Sequence, residues 1–256
     1  MLAAERQKII LDVLARNHSV EVVELAIDFK VSEMTIRRDL LKLEQAGLLR
    51  RTFGGAVSVS SPLALQMSVI EKESVHQQDK IAIGLAAAQL IRDGETVGIG
   101  AGTTCAQVGK HLCEDRSITV VTNALNIASD LAHRRCVQLM VTGGTVVERS
   151  LALVGPFAEA IFDQVHINKL FLGATGVTYD QGVTTQDLME ASLYKAMISA
   201  AQEVIIVADS SKLGLVTFAP MVRIEYVTKL VVDAQASEEY LEKINRMGVE
   251  IIIAKE

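Results

Sequence analysis

The hydrophobic and polar positions of the first 46 residues recur with a helical period. Apolar residues three and four apart predict one helix over residues 4–17 and a second, short helix around 22–29. A break at 30–32 precedes a third helix over 33–46, which Ser32 caps and in which Ile36, Leu40 and Leu43 share one face. Two helices joined by so short a turn predict a helix-turn-helix.

Short strands are predicted directly after the third helix. Residues 48–52 (LLRRT) indicate a strand, Gly54 and Gly55 a hairpin turn, and residues 56–60 (AVSVS) a return strand. This hairpin would form a wing beside the helix-turn-helix. We therefore predict a DNA-binding domain over residues 1–57 and, because residues 58–74 show no sustained period, a linker over that segment.

The pattern changes beyond residue 75. Continuous apolar runs of about six residues alternate with amphipathic stretches, which is typical of a mostly parallel sheet covered by helices on both faces. We predict an α/β domain over residues 75–256. Its strands are expected within TVGIG (96–100), ITVVTN (118–123), VQLMVTGG (137–144), KLFLGATG (169–176), VIIVADSS (204–211), YVTKLVVD (226–233) and VEIIIA (249–254).

Composition narrows the classes of function. The chain has 256 residues and a formal net charge of −6, which excludes a protein that is basic throughout but permits a local basic surface. Its longest apolar run, residues 81–91, is too short to cross a bilayer, and we expect a cytoplasmic protein without membrane contact. The three cysteines show no CxxC spacing and the five histidines no metal-ligand spacing, so no metal or cofactor is predicted.

Positive charge is concentrated on the third helix and the wing. Met34, Arg38 and Lys42 face away from the apolar stripe, and the fork of an arginine can bond guanine O6 and N7 in the major groove. The alternative interpretation is a solvated amphipathic helix with paired charges. The candidate DNA-binding residues are Ser32, Met34, Thr35, Arg37, Arg38, Lys42, Arg50 and Arg51.

Polar and small residues follow several predicted strands. In GIGAGTTCAQV, Gly102 precedes a predicted helix whose free N–H groups favour an anion, and the Thr103 and Thr104 hydroxyls can add bonds. The spacing matches neither GxGxxG nor a Walker loop, and a close-packed turn is the alternative. Further candidates, each also explicable as a cap or turn, are Thr122, Asn123, Gly143, Gly144, Gly176, Asp209 and Lys212.

VSEMTIRRDLLKLEQAGLLRRTFGGA, residues 31–56, resembles the signature of the DeoR family of bacterial transcriptional repressors. KIAIGLAAAQLIRDG, GAGTTCAQV, TVVTNALNIASDL, MVTGG, FLGATG and VADSSK extend the resemblance along the whole chain. It implies a winged helix-turn-helix followed by a sensor similar to ribose-5-phosphate isomerases and CoA transferases. It also implies a sugar-phosphate effector, dimers or larger oligomers, and further effector contacts at Lys80 and Lys195. Phe53 stands where many members carry histidine, and Gly100 where many carry aspartate.

These observations predict a repressor of a carbohydrate uptake or catabolic operon that is relieved by a sugar phosphate, and not an enzyme. One alternative is a sensor that retains sugar-phosphate isomerase activity, with Asp209 and Lys212, or Asp187 and Glu190, as the catalytic groups. Another is an interaction protein whose helix-turn-helix contacts a protein partner instead of DNA.

Overall fold

A computed structural model describes residues 3–17, 19–45, 48–51, 54–58 and 68–255. The chain divides into two compact units, residues 1–77 and residues 78–256. The first unit contains α1 (Ala3–Asn17), β1 (Ser19–Glu21), α2 (Val22–Phe29), α3 (Glu33–Gln45), β2 (Leu49–Arg51), β3 (Gly55–Ser58) and α4 (Val69–Glu73).

The first unit is built around the apolar faces of three helices. Ile10 and Leu14 of α1 are buried with Ile36 and Leu40 of α3, as the helical period predicts. Lys30 ends α2 in the left-handed conformation, with φ 53°, and its N–H bonds the last turn of the helix. This cap reverses the chain within three residues and sets α3 across α2, which is the helix-turn-helix geometry.

The start of α3 and the wing match their sequence predictions, with one addition. Ser32 Oγ accepts a hydrogen bond from the Thr35 N–H at 3.3 Å, as expected for an N-cap. Strands β2 and β3 form the antiparallel wing hairpin. A third strand, β1, pairs with β3 and was not predicted, because three residues between two helices carry no periodic signal.

The segment interpreted as a linker is described only in part. Residues 59–67, and Phe53 before them, lie outside the described residues. Toward its end, Ser68 caps α4 in a reciprocal capping box with Glu71.

The second unit alternates strands and helices. In chain order its elements are α5 (Gln77–Ala88), β4 (Thr96–Ile99), α6 (Thr103–Lys110), β5 (Ile118–Thr122), α7 (Leu125–Leu131), β6 (Val137–Val141), β7 (Thr145–Val147), β8 (Ala152–Val154), α8 (Pro156–Glu159), β9 (Ile167–Gly173), β10 (Gly176–Thr178), β11 (Gly182–Thr185), α9 (Leu188–Ser199), β12 (Ala201–Val207), β13 (Ala219–Val222), β14 (Lys229–Val232), α10 (Glu238–Asn245) and β15 (Glu250–Ile253).

Within the described residues, seven strands form one parallel sheet in the order β15-β14-β12-β9-β4-β5-β6. Each of the seven strands predicted from the sequence contributes one of them, which confirms the predicted fold class. The chain runs outward from β4 through β5 to β6, then returns to β9 on the other side of β4. The junction of β4 and β9 is therefore the topological switch point, where α/β sheets bind ligands.

Two smaller antiparallel sheets were not predicted. Strands β7 and β8 form a hairpin, and β10, β11 and β13 form a three-stranded sheet. The hairpin lies against the end of β5, because the Leu153 N–H donates to the Asn123 carbonyl at 2.7 Å. These short strands lack the long apolar runs that identified the parallel sheet.

Candidate functional site

The outer face of α3 presents the side chains that the helical period predicted. Met34, Arg37, Arg38 and Lys42 are exposed, and Thr35 is half-buried. A solvent-facing helix with two turns of cationic and polar side chains is shaped to enter a major groove.

The cationic side chains of α3 and the wing differ in whether they form ion pairs. Arg37 pairs with Glu33 at 3.5 Å, whereas in the described part of the chain no carboxylate pairs with Arg38 or Lys42. On the wing, the Arg51 Nε lies 2.6 Å from Glu44 Oε2, and the Arg51 N–H donates to the same carboxylate. Arg51 therefore ties the wing to α3.

Ser32 and Arg50 are the remaining DNA-binding candidates, and the structure describes the side chain of Ser32 only. The Ser32 and Thr35 hydroxyls bond each other at 2.9 Å at the exposed start of α3. The backbone of Arg50 lies in β2, but its side chain is outside the described residues.

Asp39 is a structurally important residue that the sequence analysis missed. It lies on the buried face of α3, where it accepts hydrogen bonds from Arg6 Nε at 2.6 Å and Gln7 Nε2 at 2.9 Å. Arg6 and Asp39 are both buried, so the pair joins α1 to α3 inside the core. The signal was present, since an acidic residue at the spacing of Ile36, Asp39 and Leu40 falls on an apolar face.

The turn between β4 and α6, residues 100–102 (the Gly102 turn), ends at an open helix N-terminus, as the predicted anion site requires. Gly102 is the N-cap of α6 with φ 130°, and a side chain there would meet open space. Thr103 is half-buried and Thr104 buried. The first N–H groups of a helix have no intrahelical partner, and the helix dipole favours negative charge there.

The neighbouring strand end supplies Thr122 and Asn123, both fully buried. The Thr122 hydroxyl donates to the Ile99 carbonyl at 2.7 Å and accepts from the Ala124 N–H, so it ties β5 to β4. Asn123 Nδ2 donates to Leu153, while no described group donates to its Oδ1. Asn123 therefore retains an acceptor, whereas the Thr122 hydroxyl is already engaged.

Two candidate glycines permit close backbone approach. Gly144 has φ 109°, and a Cβ on it would lie 2.5 Å from the Val154 carbonyl oxygen. A Cβ on Gly176 would lie 2.2 Å from the Leu215 carbonyl oxygen. Gly143, next to Gly144, faces open space. Packing alone accounts for Gly144 and Gly176.

Asp209 and Lys212 lie where β12 ends. Asp209 is buried and accepts from the Ser211 N–H at 3.2 Å, while the half-buried Lys212 Nζ is 4.0 Å from Asp209 Oδ1. Both residues are at the edge of the sheet that carries the Gly102 turn, because parallel strands end at the same edge.

Lys80 and Lys195 occupy different environments. Lys80 is only 5% exposed on α5, whereas Lys195 is exposed on α9. A Cβ on Gly84 would lie 2.4 Å from Gln107 Cβ, so α5 contacts α6 directly. Because α5 precedes β4 and α6 follows it, both helices run opposite to the strands. Lys80 lies one turn before Gly84, and Thr103 lies one turn before Gln107. Lys80 and Thr103 therefore lie at the same end of the helix pair.

The carboxylates considered for an enzyme have structural partners. Asp187 caps α9 by accepting from the Met189 N–H at 2.8 Å and the Glu190 N–H at 3.1 Å. Glu190 is buried and accepts from the Thr185 hydroxyl at 3.2 Å.

Tyr194 was missed by the sequence analysis. It is buried four residues after Glu190 and approaches the start of the Gly102 turn. An apolar-patterned helix gives no sign of that contact, because the turn is more than 90 residues away in the chain.

We also considered metal binding, membrane spanning and a cysteine nucleophile within the described ranges. Among those residues, no group of three or more His, Cys, Asp or Glu side chains could hold a metal ion. No helix within them is long and apolar enough to span a membrane. Burial raises the pKa of Cys105 to about 12, which makes its thiol a poor nucleophile.

Comparisons with known proteins agree with this two-unit architecture. Residues 6–62 match the DeoR-like helix-turn-helix domain, and residues 75–234 match the DeoR C terminal sensor domain. The HTH-type transcriptional regulator YulB of Bacillus subtilis is 36% identical over 91% of this chain and 90% of its own. The HTH-type transcriptional regulator GlpR of Haloferax volcanii is 33% identical over 98% of each chain.

A third relative and one solved structure extend the comparison. The putative aga operon transcriptional repressor of Escherichia coli O157:H7 is 31% identical over 99% of this chain and 94% of its own. Ribose 5 phosphate isomerase A from Neisseria gonorrhoeae is 18% identical over 53% of this chain and 54% of its own, with a TM-score of 0.39.

A helix-turn-helix unit followed by a sensor domain defines a DNA-binding transcriptional regulator. The chain belongs to the DeoR family of such regulators.

Proposed function

We propose that this protein represses a carbohydrate uptake or catabolic operon and that a sugar phosphate bound in the second unit relieves the repression. The proposed effector binding is supported chiefly by the Gly102 turn, because an open helix N-terminus lies there at the switch point of the sheet. The aga operon relative is named as a repressor, which supports the direction of control.

The proposed effector site places the phosphate at the Gly102 turn and the sugar along the neighbouring strand ends. The Thr103 hydroxyl and N–H groups would bind phosphate oxygens, and Lys212 would add positive charge. Asn123 Oδ1, to which no described group donates a hydrogen bond, would accept one from a sugar hydroxyl. Lys80 and Lys195 are further proposed contacts.

The proposed mechanism is a shift between two states. We propose that the protein binds two operator half-sites as a homo-oligomer in the cytoplasm. The effector favours the state in which the recognition helices no longer match those half-sites. A typical coupling of about 1–3 kcal/mol changes operator affinity roughly 5- to 150-fold.

The DNA-binding proposal is tested with Arg38→Ala and Lys42→Ala, measured on duplex DNA at several salt concentrations. Each lost phosphate contact should reduce the slope of log affinity against log salt by about 0.9. Lys8→Ala, an exposed cation on α1, is the matched control and should leave the slope unchanged. Unaltered slopes in both α3 variants would favour the protein-interaction alternative.

The effector proposal is tested by thermal unfolding of the whole chain with sugar phosphates and the corresponding free sugars. At about 100 times its dissociation constant, a ligand stabilises the folded state by roughly 2.7 kcal/mol. One phosphate should raise the unfolding temperature of the wild type while its free sugar does not. Lys212→Ala should lose that response and retain DNA binding, and a retained response would exclude Lys212.

We further propose that the second unit senses its ligand without converting it. Asp187 and Glu190 are already engaged by backbone and side-chain donors, which leaves no free carboxylate base among that pair. Incubation with candidate sugar phosphates, followed by NMR, should give no isomerised product. Turnover that depends on Glu190 would instead favour the isomerase alternative.

A further inference from the structure

Lys30 occupies a position of the helix-turn-helix that suits glycine better than lysine. The turn closes α2 with two backbone hydrogen bonds, from the Lys30 N–H to the Ile27 carbonyl at 3.2 Å and from the Val31 N–H to the Ala26 carbonyl at 3.1 Å. This pair of bonds requires the left-handed conformation at residue 30, where φ is 53° and ψ is 46°. Glycine adopts that conformation without strain, because it has no Cβ to crowd the following carbonyl oxygen.

The contacts of the Lys30 side chain within the protein do not explain the choice of lysine. The side chain is exposed, and in the described part of the first unit no carboxylate lies within ion-pair distance of it. A cation near the end of a helix interacts favourably with the helix dipole, which is the alternative explanation. That alternative predicts that removal of the charge lowers stability and leaves DNA binding unchanged.

The turn joins the two helices that meet DNA in a helix-turn-helix. The first of these helices crosses the DNA backbone, and the N-terminal residues of the second contact base edges in the major groove. Lys30 is two residues before Ser32, which caps α3, so its exposed side chain extends from the segment between backbone and groove. A lysine binds phosphate as a point charge on a flexible stem and needs no exact orientation. This position therefore suits a contact with a backbone phosphate.

We propose that Lys30 binds a phosphate of the DNA backbone and helps to fix the orientation of α3 in the major groove. The lysine is retained in a conformation that favours glycine because its charge contributes to DNA affinity. The contact carries no sequence information, in contrast to a base contact by Arg38. This inference rests on the DNA binding of the first unit, and it adds a residue of the turn to the candidates on α3 and the wing.

The test measures the affinity of the full chain for duplex DNA over a range of salt concentrations. Lys30→Gln removes the charge and keeps a long polar side chain. It should reduce the slope of log affinity against log salt by about 0.9, which corresponds to roughly 8-fold weaker binding at about 0.1 M salt. Lys30→Arg should retain the wild-type slope, because it keeps the charge. An unchanged slope in Lys30→Gln would overturn the proposal.

Lys30→Gly separates DNA binding from stability. Glycine relieves the left-handed conformation, so the first unit should be at least as stable as in the wild type. Hydrogen exchange of the α2 and α3 amides across a urea series measures that stability. The affinity of this variant for DNA should nevertheless fall as in Lys30→Gln. A less stable first unit with wild-type affinity for DNA would assign the lysine to the helix dipole of α2 and overturn the proposal.

A matched control and a second DNA sequence define the contact. Lys8 is an exposed cation on α1, and Lys8→Gln should leave the salt slope unchanged. An equal reduction of the slope in Lys8→Gln would indicate a general effect of charge and overturn the proposal. On two short duplexes of unrelated sequence, Lys30→Gln should weaken binding by the same factor. Unequal factors would indicate a base contact and contradict the assignment to phosphate.

The wild-type measurement distinguishes failure of this inference from failure of the proposed function. If the wild type binds duplex DNA and Lys30→Gln binds it equally well, only this inference fails. If the wild type shows no salt-dependent binding to duplex DNA, the proposed DNA binding fails with it.

Discussion

A single buried carboxylate links two helices of the DNA-binding unit. Asp39 and Arg6 lie in a core where an unpaired charge is strongly unfavourable, because desolvation is not offset by a partner. Arg37 and Glu33 form an exposed pair on the same helix, where water screens the interaction. The two pairs therefore allow the effect of burial on an ion pair to be measured within one unit.

We predict that Asp39→Asn destabilises the first unit by about 3–5 kcal/mol, because Arg6 is left as a buried charge without its counterion. The control Glu33→Gln should cost less than about 1 kcal/mol. Hydrogen exchange of α1 and α3 amides across a urea series reports on this unit separately. Equal effects of the two substitutions would contradict the proposed importance of burial.

At the scale of elements, the contact between α5 and α6 determines how two candidate site residues are presented. Gly84 lies directly against the backbone and Cβ of Gln107. Gly109, in α6, has ordinary contacts instead, with the nearest atom, Ile127 Cγ2, 3.4 Å from an added Cβ. Gly84 thus has no room for a methyl group, whereas Gly109 has.

Gly→Ala substitutions at these two positions should change the free energy of unfolding differently. In an unobstructed helix the change stabilises by about 0.8–1 kcal/mol. At Gly109 we expect stabilisation or no change, whereas Gly84→Ala should destabilise the second unit by about 1–3 kcal/mol through overpacking. Gly84→Ala should also weaken effector binding, since it separates Lys80 from Thr103. Urea unfolding and thermal-shift measurements check both, and stabilisation by Gly84→Ala would contradict the packing argument.

At the scale of the whole second unit, alternating charges cross the sheet near the amino ends of its strands. Lys169 lies between Glu95 and Glu203, and Lys229 lies between Glu203 and Glu250. Burial raises the pKa of Glu95, but the hydrogen bonds from Lys169 and from the Arg92 N–H, together with the charges of these two residues, outweigh burial and hold that pKa below its ordinary value. The hydrogen bond to Glu250 raises the pKa of Lys229.

This row of charges predicts a pH window for stability. Because the folded pKa of Glu95 is lowered, its contribution is present above the ordinary glutamate pKa and is lost as pH falls through the folded pKa. Because the folded pKa of Lys229 is raised, its contribution is complete below the ordinary lysine pKa and is lost as pH rises through the folded pKa.

Measurement of the unfolding temperature of the second unit against pH tests this window. Lys169→Met should flatten the acid limb, since Glu95 loses one of the two residues that lower its pKa. Lys243→Met, which removes an exposed pair with Glu239, is the control and should leave the acid limb nearly unchanged. An acid limb that is identical in wild type and Lys169→Met would assign the loss of stability to other carboxylates.

The sequence by itself determined the helix-turn-helix, the wing and the seven parallel strands, and their order along the chain. Helical spacing around Ile36 and Leu40 located α3 and its exposed face, and seven apolar runs located the seven parallel strands. The motifs also identified the family, which the comparisons confirm. These features are recoverable because periodicity and strand-end residues are local properties, expressed within a few neighbouring positions.

Only the tertiary structure decided which side chains meet. The Arg6–Asp39 pair, the enclosure of Thr122 and the approach of Tyr194 to Gly100 each join residues far apart in the chain. The short strands of the small antiparallel sheets likewise depend on partners outside their own segments. Such contacts arise from the packing of complete elements, so a local pattern contains too little information to specify them.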